Sequence, residues 1–208
     1  MARIGNRLHK PRDKLKKRVS VRFVLALVPL FAIAATAPSP SHHYWLDGAH
    51  SSVSARVSYM GFGSKTARFP QMRGSIRLSP ARLDAIDLDV ELDASALDAG
   101  GKSDTNYLRG KDFFWVQQYP MVRFTGHRMT MTGAVTAQVD GEISARGVTR
   151  PATLAVTFKD PPAKATGRDP VQLNAQARIN RRDFGMNAYS MVVGKTVTIT
   201  IDARLMPG

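Results

Sequence analysis

The 208-residue sequence contains no cysteine. Disulfide bonds, a thiolate nucleophile and thiolate metal ligands are therefore excluded for this chain. A domain without disulfides must be held together by its own hydrophobic core. About 170 residues, once an N-terminal leader is set aside, suffice for one such domain.

The sequence also lacks the usual motifs of enzymes and metalloproteins. Its five histidines form no HExxH or similar ligand spacing, so we expect no metal and no cofactor. The segment nearest to a Gly-x-Ser-x-Gly nucleophile motif is residues 61–65 (GFGSK), which lacks the required frame. Phosphate loops and dinucleotide fingerprints are missing as well. These absences favour a binding protein over an enzyme.

A strongly basic segment at the N-terminus is followed at once by an apolar one. Residues 1–22 hold nine basic side chains and one acidic one, and residues 23–35 are almost wholly apolar. The apolar run is too short to cross a bilayer as a helix, and small residues follow it. These are the three parts of a secretory signal. We predict a signal peptide over residues 1–37, cut near residues 34–37; an uncleaved anchor and a soluble basic tail remain alternatives.

The high positive charge comes mostly from this basic segment. Residues 1–22 contribute +8 of the net +14, and the other basic residues are scattered along the chain. We therefore expect no nucleic-acid partner. A modest positive surface on the mature domain would favour contact with anionic lipid headgroups. The oligomeric state stays open, with a homodimer among the alternatives.

From residue 45 onward, apolar and polar residues mostly alternate. The clearest runs are residues 86–93 and 197–205, and about eight such segments are separated by Gly, Pro, Asp and Ser. This period of two predicts an all-β fold of about eight antiparallel strands, each with one buried face. Residues 112–119 form the one short helical pattern, with Asp112 as N-cap and Pro120 after it. The pattern alone leaves sandwich and barrel open.

Five motifs, in order along the chain, resemble those of the YceI-like family of periplasmic proteins that bind lipids or polyisoprenoids. They are residues 45–51 (WLDGAHS), 108–114 (LRGKDFF), 119–124 (YPMVRF), 141–151 (GEISARGVTRP) and 179–186 (INRRDFGM). The resemblance covers nearly all of residues 38–208. It implies an eight-stranded, lipocalin-like antiparallel barrel with an apolar tunnel and no catalytic residues.

The resemblance also implies a ligand and its site. The expected ligand is a long apolar lipid, a polyisoprenoid or an isoprenoid quinone, held for transport or storage in the periplasm. The candidate tunnel wall consists of Phe113, Phe114, Phe124, Phe184 and Met186. Three polar residues are candidates for the mouth or for structural support: His50, Arg182 and Asp183. Two alternatives stay open: an enzyme that acts on a lipid inside the barrel, and a stress-related interaction protein with a packed core.

Overall fold

The computed structural model describes residues 40–208, so the predicted signal peptide lies outside the described residues. This range contains ten β-strands and one α-helix. The strands are β1 (His42–Leu46), β2 (Ser52–Tyr59), β3 (Gly63–Arg68), β4 (Met72–Ser79), β5 (Arg82–Asp93), β6 (Met121–Met131), β7 (Thr136–Ala145), β8 (Val148–Phe158), β9 (Val171–Asn180) and β10 (Val193–Pro207). The helix α1 (Lys102–Arg109) follows β5. Within residues 40–208 no helix has the length and apolarity needed to cross a membrane.

The strands form one closed antiparallel barrel. Strand β1 pairs with β4 on one side and with β10 on the other, which closes the order β1-β4-β5-β6-β7-β8-β9-β10 into a ring of eight. Strands β2 and β3 form a hairpin that pairs with β10 beyond β1. In effect β1 and β2 are one long bent strand, and β3 and β4 are another. The predicted eight-stranded antiparallel barrel is confirmed, and the sandwich alternative is excluded.

The bend between β1 and β2 is held by a small polar network. The carboxylate of Asp47 accepts a hydrogen bond from the backbone N–H of Ala49 at 3.2 Å and contacts Nδ1 of His50 at 2.8 Å. Two further bonds tie the bend to β10: the Asp47 N–H donates to the carbonyl of Arg204 at 2.8 Å, and the Arg204 N–H donates to the Ser51 hydroxyl at 3.0 Å. The bend therefore keeps its pairing with β10 although the strand is interrupted.

Side chains alternate between the interior and the surface, as the sequence period predicts. On β9, Ala175 and Ala177 are buried while Gln176 and Arg178 are exposed. The end of the barrel that contains the β4–β5, β6–β7 and β8–β9 turns, here called the closed end, holds a cluster of buried apolar side chains. Its central side chain is Tyr44, which is fully buried and whose hydroxyl accepts a hydrogen bond from the Gly167 N–H at 3.1 Å.

The opposite end, here called the open end, contains the β2–β3 hairpin, α1 and residues 181–192. Strand β3 pairs with β2 on one side, and on its outer side it forms only an isolated bridge, between Arg68 and Asp98, which leaves a gap in the pairing of the wall. Helix α1 covers this gap, and an ion pair of 2.5 Å between Lys65 on β3 and Asp104 on α1 holds it there. The wall at this end is thus completed by a helix rather than by strand pairing.

The predicted position of the short helix was wrong. The α-helix occupies Lys102–Arg109, and residues 112–119 form successive turns. Trp115 adopts a left-handed conformation with φ of 50°, which a continuous helix does not allow. Helix α1 has only two large apolar residues, Tyr107 and Leu108, and none of its residues is fully buried, so its sequence resembles a polar connecting segment.

Candidate ligand-binding site

The barrel encloses an apolar cavity of about 180 Å³, here called the main cavity. Inward-facing residues of β1, of β2, of β4 to β10 and of the adjoining turns form its wall. Apart from Ser51 and Arg181, every residue on this wall is apolar; among the residues that form it are Val53, Ile76, Leu88, Phe124, Ile143, Leu154, Ala177 and Ile201. An unpaired polar group would be costly in such a space, and a hydrocarbon chain would be stable in it.

A second cavity of about 310 Å³, here called the mouth cavity, lies at the open end. It shares Ala55, Phe114, Arg181, Met186 and Val197 with the wall of the main cavity, so the two spaces adjoin. Its lining is mixed, since apolar residues are accompanied there by six side chains that carry a polar group besides Arg181, namely Tyr59, Lys65, Thr66, Asp104, Tyr107 and Tyr189. The two cavities together present an apolar interior that leads to a mouth of mixed polarity.

The structure brings the five predicted apolar residues together along these cavities. Phe124 and Phe184 line the main cavity, and Phe113 lines the mouth cavity. Phe114 and Met186 belong to both and stand where the two spaces meet. Their contact with a ligand stays a prediction.

The structure does not place the three predicted polar residues on either cavity. His50 lies at the bend between β1 and β2 with its side chain 64% exposed, bonded to Asp47. Arg182 and Asp183 are exposed, and both bond to Asn180. The backbone N–H of Arg182 donates to the side-chain oxygen of Asn180 at 3.1 Å, and the side-chain N–H of Asn180 donates to the carboxylate of Asp183 at 2.9 Å. These contacts give each of the three a local structural role.

The cation that borders both cavities is Arg181, which the sequence interpretation did not select. Its side chain is 3% exposed. The guanidinium donates to the carbonyls of Gly194 at 2.9 Å and Val193 at 3.0 Å, and also to the carbonyl of Met186. Burial, with a smaller contribution from the neighbouring charge of Arg182, lowers the pKa of Arg181 from its usual value.

A simple signal in the sequence would have found Arg181. Inward positions on β9 follow the series 173, 175, 177 and 179, and the next member of that series is 181. Arg182, by the same period of two, falls on the outside. If the alternation is extended past the end of β9, it therefore predicts that Arg181 is buried and that Arg182 is exposed.

Aromatic rings cluster at the mouth cavity. The rings of Phe113 and Tyr189 are parallel with centroids 6.0 Å apart, and Tyr107 meets Tyr189 edge-on at 6.1 Å. The Arg181 guanidinium lies 6.0 Å from the centroid of Phe113. Such rings offer a planar group both a stacking surface and a nearby cation.

Two charged contacts fix the segments around the mouth. The hydrogen bond from Lys65 to Asp104 raises the pKa of Lys65 from its usual value, although partial desolvation opposes it. Arg146, on the β7–β8 turn, donates to the carbonyls of Gly185 at 2.5 Å and Lys111 at 3.0 Å. Helix α1, the segment after it and the turn before β10 are therefore tied to the barrel.

Metal coordination has no obvious place in the described part of the chain. Within residues 40–208 no group of three or more histidines and carboxylates is positioned to hold a metal ion.

The fold and the site define a class of protein: a closed antiparallel β-barrel with an apolar interior cavity that leads to a mouth of mixed polarity at one end. The chain belongs to the YceI-like family, since the family model of the YceI-like domain matches residues 44–205. The resemblance noted in the sequence is thereby confirmed.

Curated relatives are of moderate similarity. A UPF0312 protein of Pseudomonas putida strain GB-1 is 26% identical over 162 residues, which span 78% of this chain and 84% of the relative. A UPF0312 protein of Pseudomonas savastanoi pv. phaseolicola is 28% identical over 145 residues, spanning 67% of this chain and 73% of the relative.

Solved structures share the fold at lower identity. BcnA of Burkholderia cenocepacia superposes with a TM-score of 0.68 at 21% identity, covering 76% of this chain and 98% of BcnA. A polyisoprenoid-binding domain from Saccharophagus degradans, implicated in plant cell wall breakdown, gives a TM-score of 0.60 at 15% identity, covering 79% of this chain and 98% of that domain. These structures establish the architecture of the barrel.

Proposed function

We propose that the protein carries one long apolar lipid of the isoprenoid type in the barrel interior. The observation that carries this proposal is the wall of the main cavity, which is apolar except for Ser51 and Arg181. The polyisoprenoid-binding domain of Saccharophagus degradans, which shares the fold, supports the isoprenoid class of ligand.

The hydrophobic effect strongly favours burial of such a ligand in the barrel over its exposure to water. Burying one CH₂ group is worth about 0.8 kcal/mol, so each five-carbon isoprene unit gains about 4 kcal/mol on leaving water. Closing the barrel removes the free strand edges that a lipid-filled open sheet would expose.

The polar end of the lipid lies in the mouth cavity in this proposal. Arg181, Lys65 and the tyrosines Tyr107 and Tyr189 supply hydrogen-bond donors there. The stacked rings of Phe113 and Tyr189 favour a planar head, as in an isoprenoid quinone. A hydroxyl or quinone oxygen would need only one or two of these donors.

The same features favour a carrier over the two alternatives. Across residues 40–208, Arg181 is the only ionisable side chain on the wall of the main cavity, so this wall offers no paired base and nucleophile. An interaction protein with a packed core would not contain an apolar cavity of about 180 Å³, because protein cores are close-packed. We propose that the lipid is held for transport or storage in the periplasm, after export through the predicted signal peptide.

Lipid uptake by the purified mature protein tests this function. The protein is incubated with a polyprenol, an isoprenoid quinone or a fatty acid, separated by gel filtration, and extracted. We expect about one isoprenoid lipid per chain. Phe124→Asp should reduce this occupancy at least about tenfold, because a carboxylate in the apolar wall opposes burial of the chain.

Thr130→Asp is the matched control, since Thr130 is an exposed residue of the same strand, β6. It should retain the occupancy of the unmodified protein. A folded Phe124→Asp protein with unchanged lipid content would contradict the placement of the lipid in the main cavity.

A further inference from the structure

Large apolar side chains are concentrated on the outside of the open end. In the described part of the chain, five of the six exposed large hydrophobic residues lie there, and the sixth is Trp45. We call the five the apolar rim: Met60, Phe62, Tyr107, Tyr189 and Met191. Met191 is 100% exposed and Phe62 is 92% exposed. Single exposed apolar residues are ordinary, but a cluster on one face indicates a contact surface.

The rim is built from three segments that hold one another. The Met60 N–H, at the tip of the β2–β3 hairpin, donates to the carbonyl of Val192 at 2.7 Å. Tyr189 contacts Tyr107 of α1 edge-on. Both Met60 and Tyr189 have a positive φ of 54°, a conformation that glycine or asparagine adopts at lower cost. Large side chains are thus kept at these turns against the local backbone preference.

The rim borders the mouth cavity. Tyr107 and Tyr189 belong both to the rim and to the lining of that cavity, and Val192 lines it beside them. A lipid that leaves the barrel through the mouth therefore meets the rim first.

A basic groove begins beside the rim, on the outer wall. Arg56 on β2 and Arg178 on β9 lie on either side of Thr198 of β10, with which both are in register. Phe62 of the rim forms part of the same groove. None of the ion pairs found within residues 40–208 involves Arg56 or Arg178. Two guanidinium groups below exposed apolar residues match the phosphates of an anionic lipid surface.

We propose that the open end is a docking face for an anionic bilayer. The apolar rim inserts at the boundary between headgroups and acyl chains, and Arg56 and Arg178 contact lipid phosphates. The cargo lipid then passes between bilayer and barrel without crossing water. This inference rests on the proposed lipid-carrier function and adds the membrane face and the chemistry of the membrane.

Vesicle flotation with the mature protein tests the docking face. The probes are phosphatidylcholine vesicles with and without phosphatidylglycerol. The unmodified protein should float with the phosphatidylglycerol vesicles, and the double variant Phe62→Ser/Met191→Ser should lose at least about tenfold of that binding, because its apolar insertion is removed. Trp45→Ser is the matched control, since it removes an exposed apolar side chain outside the rim, and it should bind as the unmodified protein does.

A second variant tests the charge contribution separately. Arg56→Gln/Arg178→Gln should remove the preference for phosphatidylglycerol while leaving the apolar rim intact. Equal flotation of Phe62→Ser/Met191→Ser and unmodified protein would overturn the proposal. A second result would also overturn it: light scattering shows that the unmodified protein is a dimer, and Phe62→Ser/Met191→Ser abolishes the dimer without changing vesicle binding. The open end would then be an interface between two copies of the chain.

The lipid content of the rim variant separates this inference from the function on which it rests. Phe62→Ser/Met191→Ser should keep its extracted lipid, since neither residue lines the main cavity, but should exchange it with vesicles more slowly. Unmodified protein that holds no isoprenoid lipid contradicts the carrier function. Normal lipid content with undiminished exchange in the rim variant contradicts the docking face alone.

Discussion

At the scale of the residue, Arg181 is the most informative side chain in the structure. It is a buried cation whose hydrogen bonds go to the backbone carbonyls of Gly194, Val193 and Met186. These carbonyls lie on the segment that bounds the mouth cavity. A single guanidinium thus fixes the shape of the mouth and places a positive charge beside it. Only the planar fork of arginine spans several carbonyls in this way.

Replacement of this arginine should destabilise the protein. Arg181→Met leaves the carbonyls of Gly194 and Val193 without their donor, and one unsatisfied buried carbonyl costs about 1–3 kcal/mol. The free energy of unfolding, measured by chemical denaturation, should fall by at least that amount. Arg181→Lys keeps the charge but not the fork, so it should recover only part of the loss. Unchanged stability of Arg181→Met would contradict this role.

At the scale of the element, alternation in the sequence predicted the strands well but not their breaks. A period of two indicates which side chains of a strand point inward, and on β5, β9 and β10 the residues that line the main cavity occupy alternate positions. The bends at residues 47–51 and 69–71 divide two long barrel strands into four. The first depends on contacts with Arg204 of β10, which is distant in sequence. At the second, Phe69 bonds to Val53 of β2, and Gln71 bonds to Asp93 of β5. The helix was misplaced for a related reason: α1 covers a gap between strands, which the local sequence does not reveal.

An ion pair between β5 and β6 makes the stability of the protein depend on pH. Arg123 donates from Nε to Asp89 at 2.8 Å, and this hydrogen bond lowers the pKa of Asp89 from its usual value. A carboxylate with a lowered pKa contributes stability above the unfolded-state pKa of about 3.9, and the contribution is lost as the pH falls through the folded-state pKa.

Asp89→Asn should therefore reduce stability at neutral pH, and the difference from the unmodified protein should shrink as the pH falls below about 4. Because the Asp89 side chain is 39% exposed, we expect a loss under about 1 kcal/mol. Asp87→Asn, on the same face of β5 with a longer contact of 3.4 Å to Arg77, should cost less. Denaturation at several pH values measures both, and a difference independent of pH would refute the assignment.

At the scale of the whole molecule, the barrel combines a closed end, an apolar interior and an open mouth. The number of strands alone does not distinguish a packed barrel from one that holds a ligand. The motifs of residues 45–51 and 179–186 predicted the family and hence the fold. The cavity, by contrast, is set by the sizes of inward residues on many strands, small ones such as Ala175 and Ala177 among them, and sequence alternation does not report how they fit together.

Filling the main cavity should remove the ligand without unfolding the protein. Ala177→Phe adds a ring to the wall of the main cavity, so it should occupy apolar space that the lipid needs. We expect lower lipid occupancy and a melting temperature near that of the unmodified protein. Gln176→Phe, at the neighbouring exposed position, is the control and should keep the lipid. Full occupancy in Ala177→Phe would place the lipid elsewhere.

The central claim is that the barrel holds a long apolar lipid, and native mass spectrometry of the purified mature protein, followed by lipid extraction, tests it most directly. The account predicts a complex of one chain with one isoprenoid lipid, whose mass the extract identifies. Protein that is empty on purification, and that stays empty after incubation with polyprenols and isoprenoid quinones, would contradict the claim.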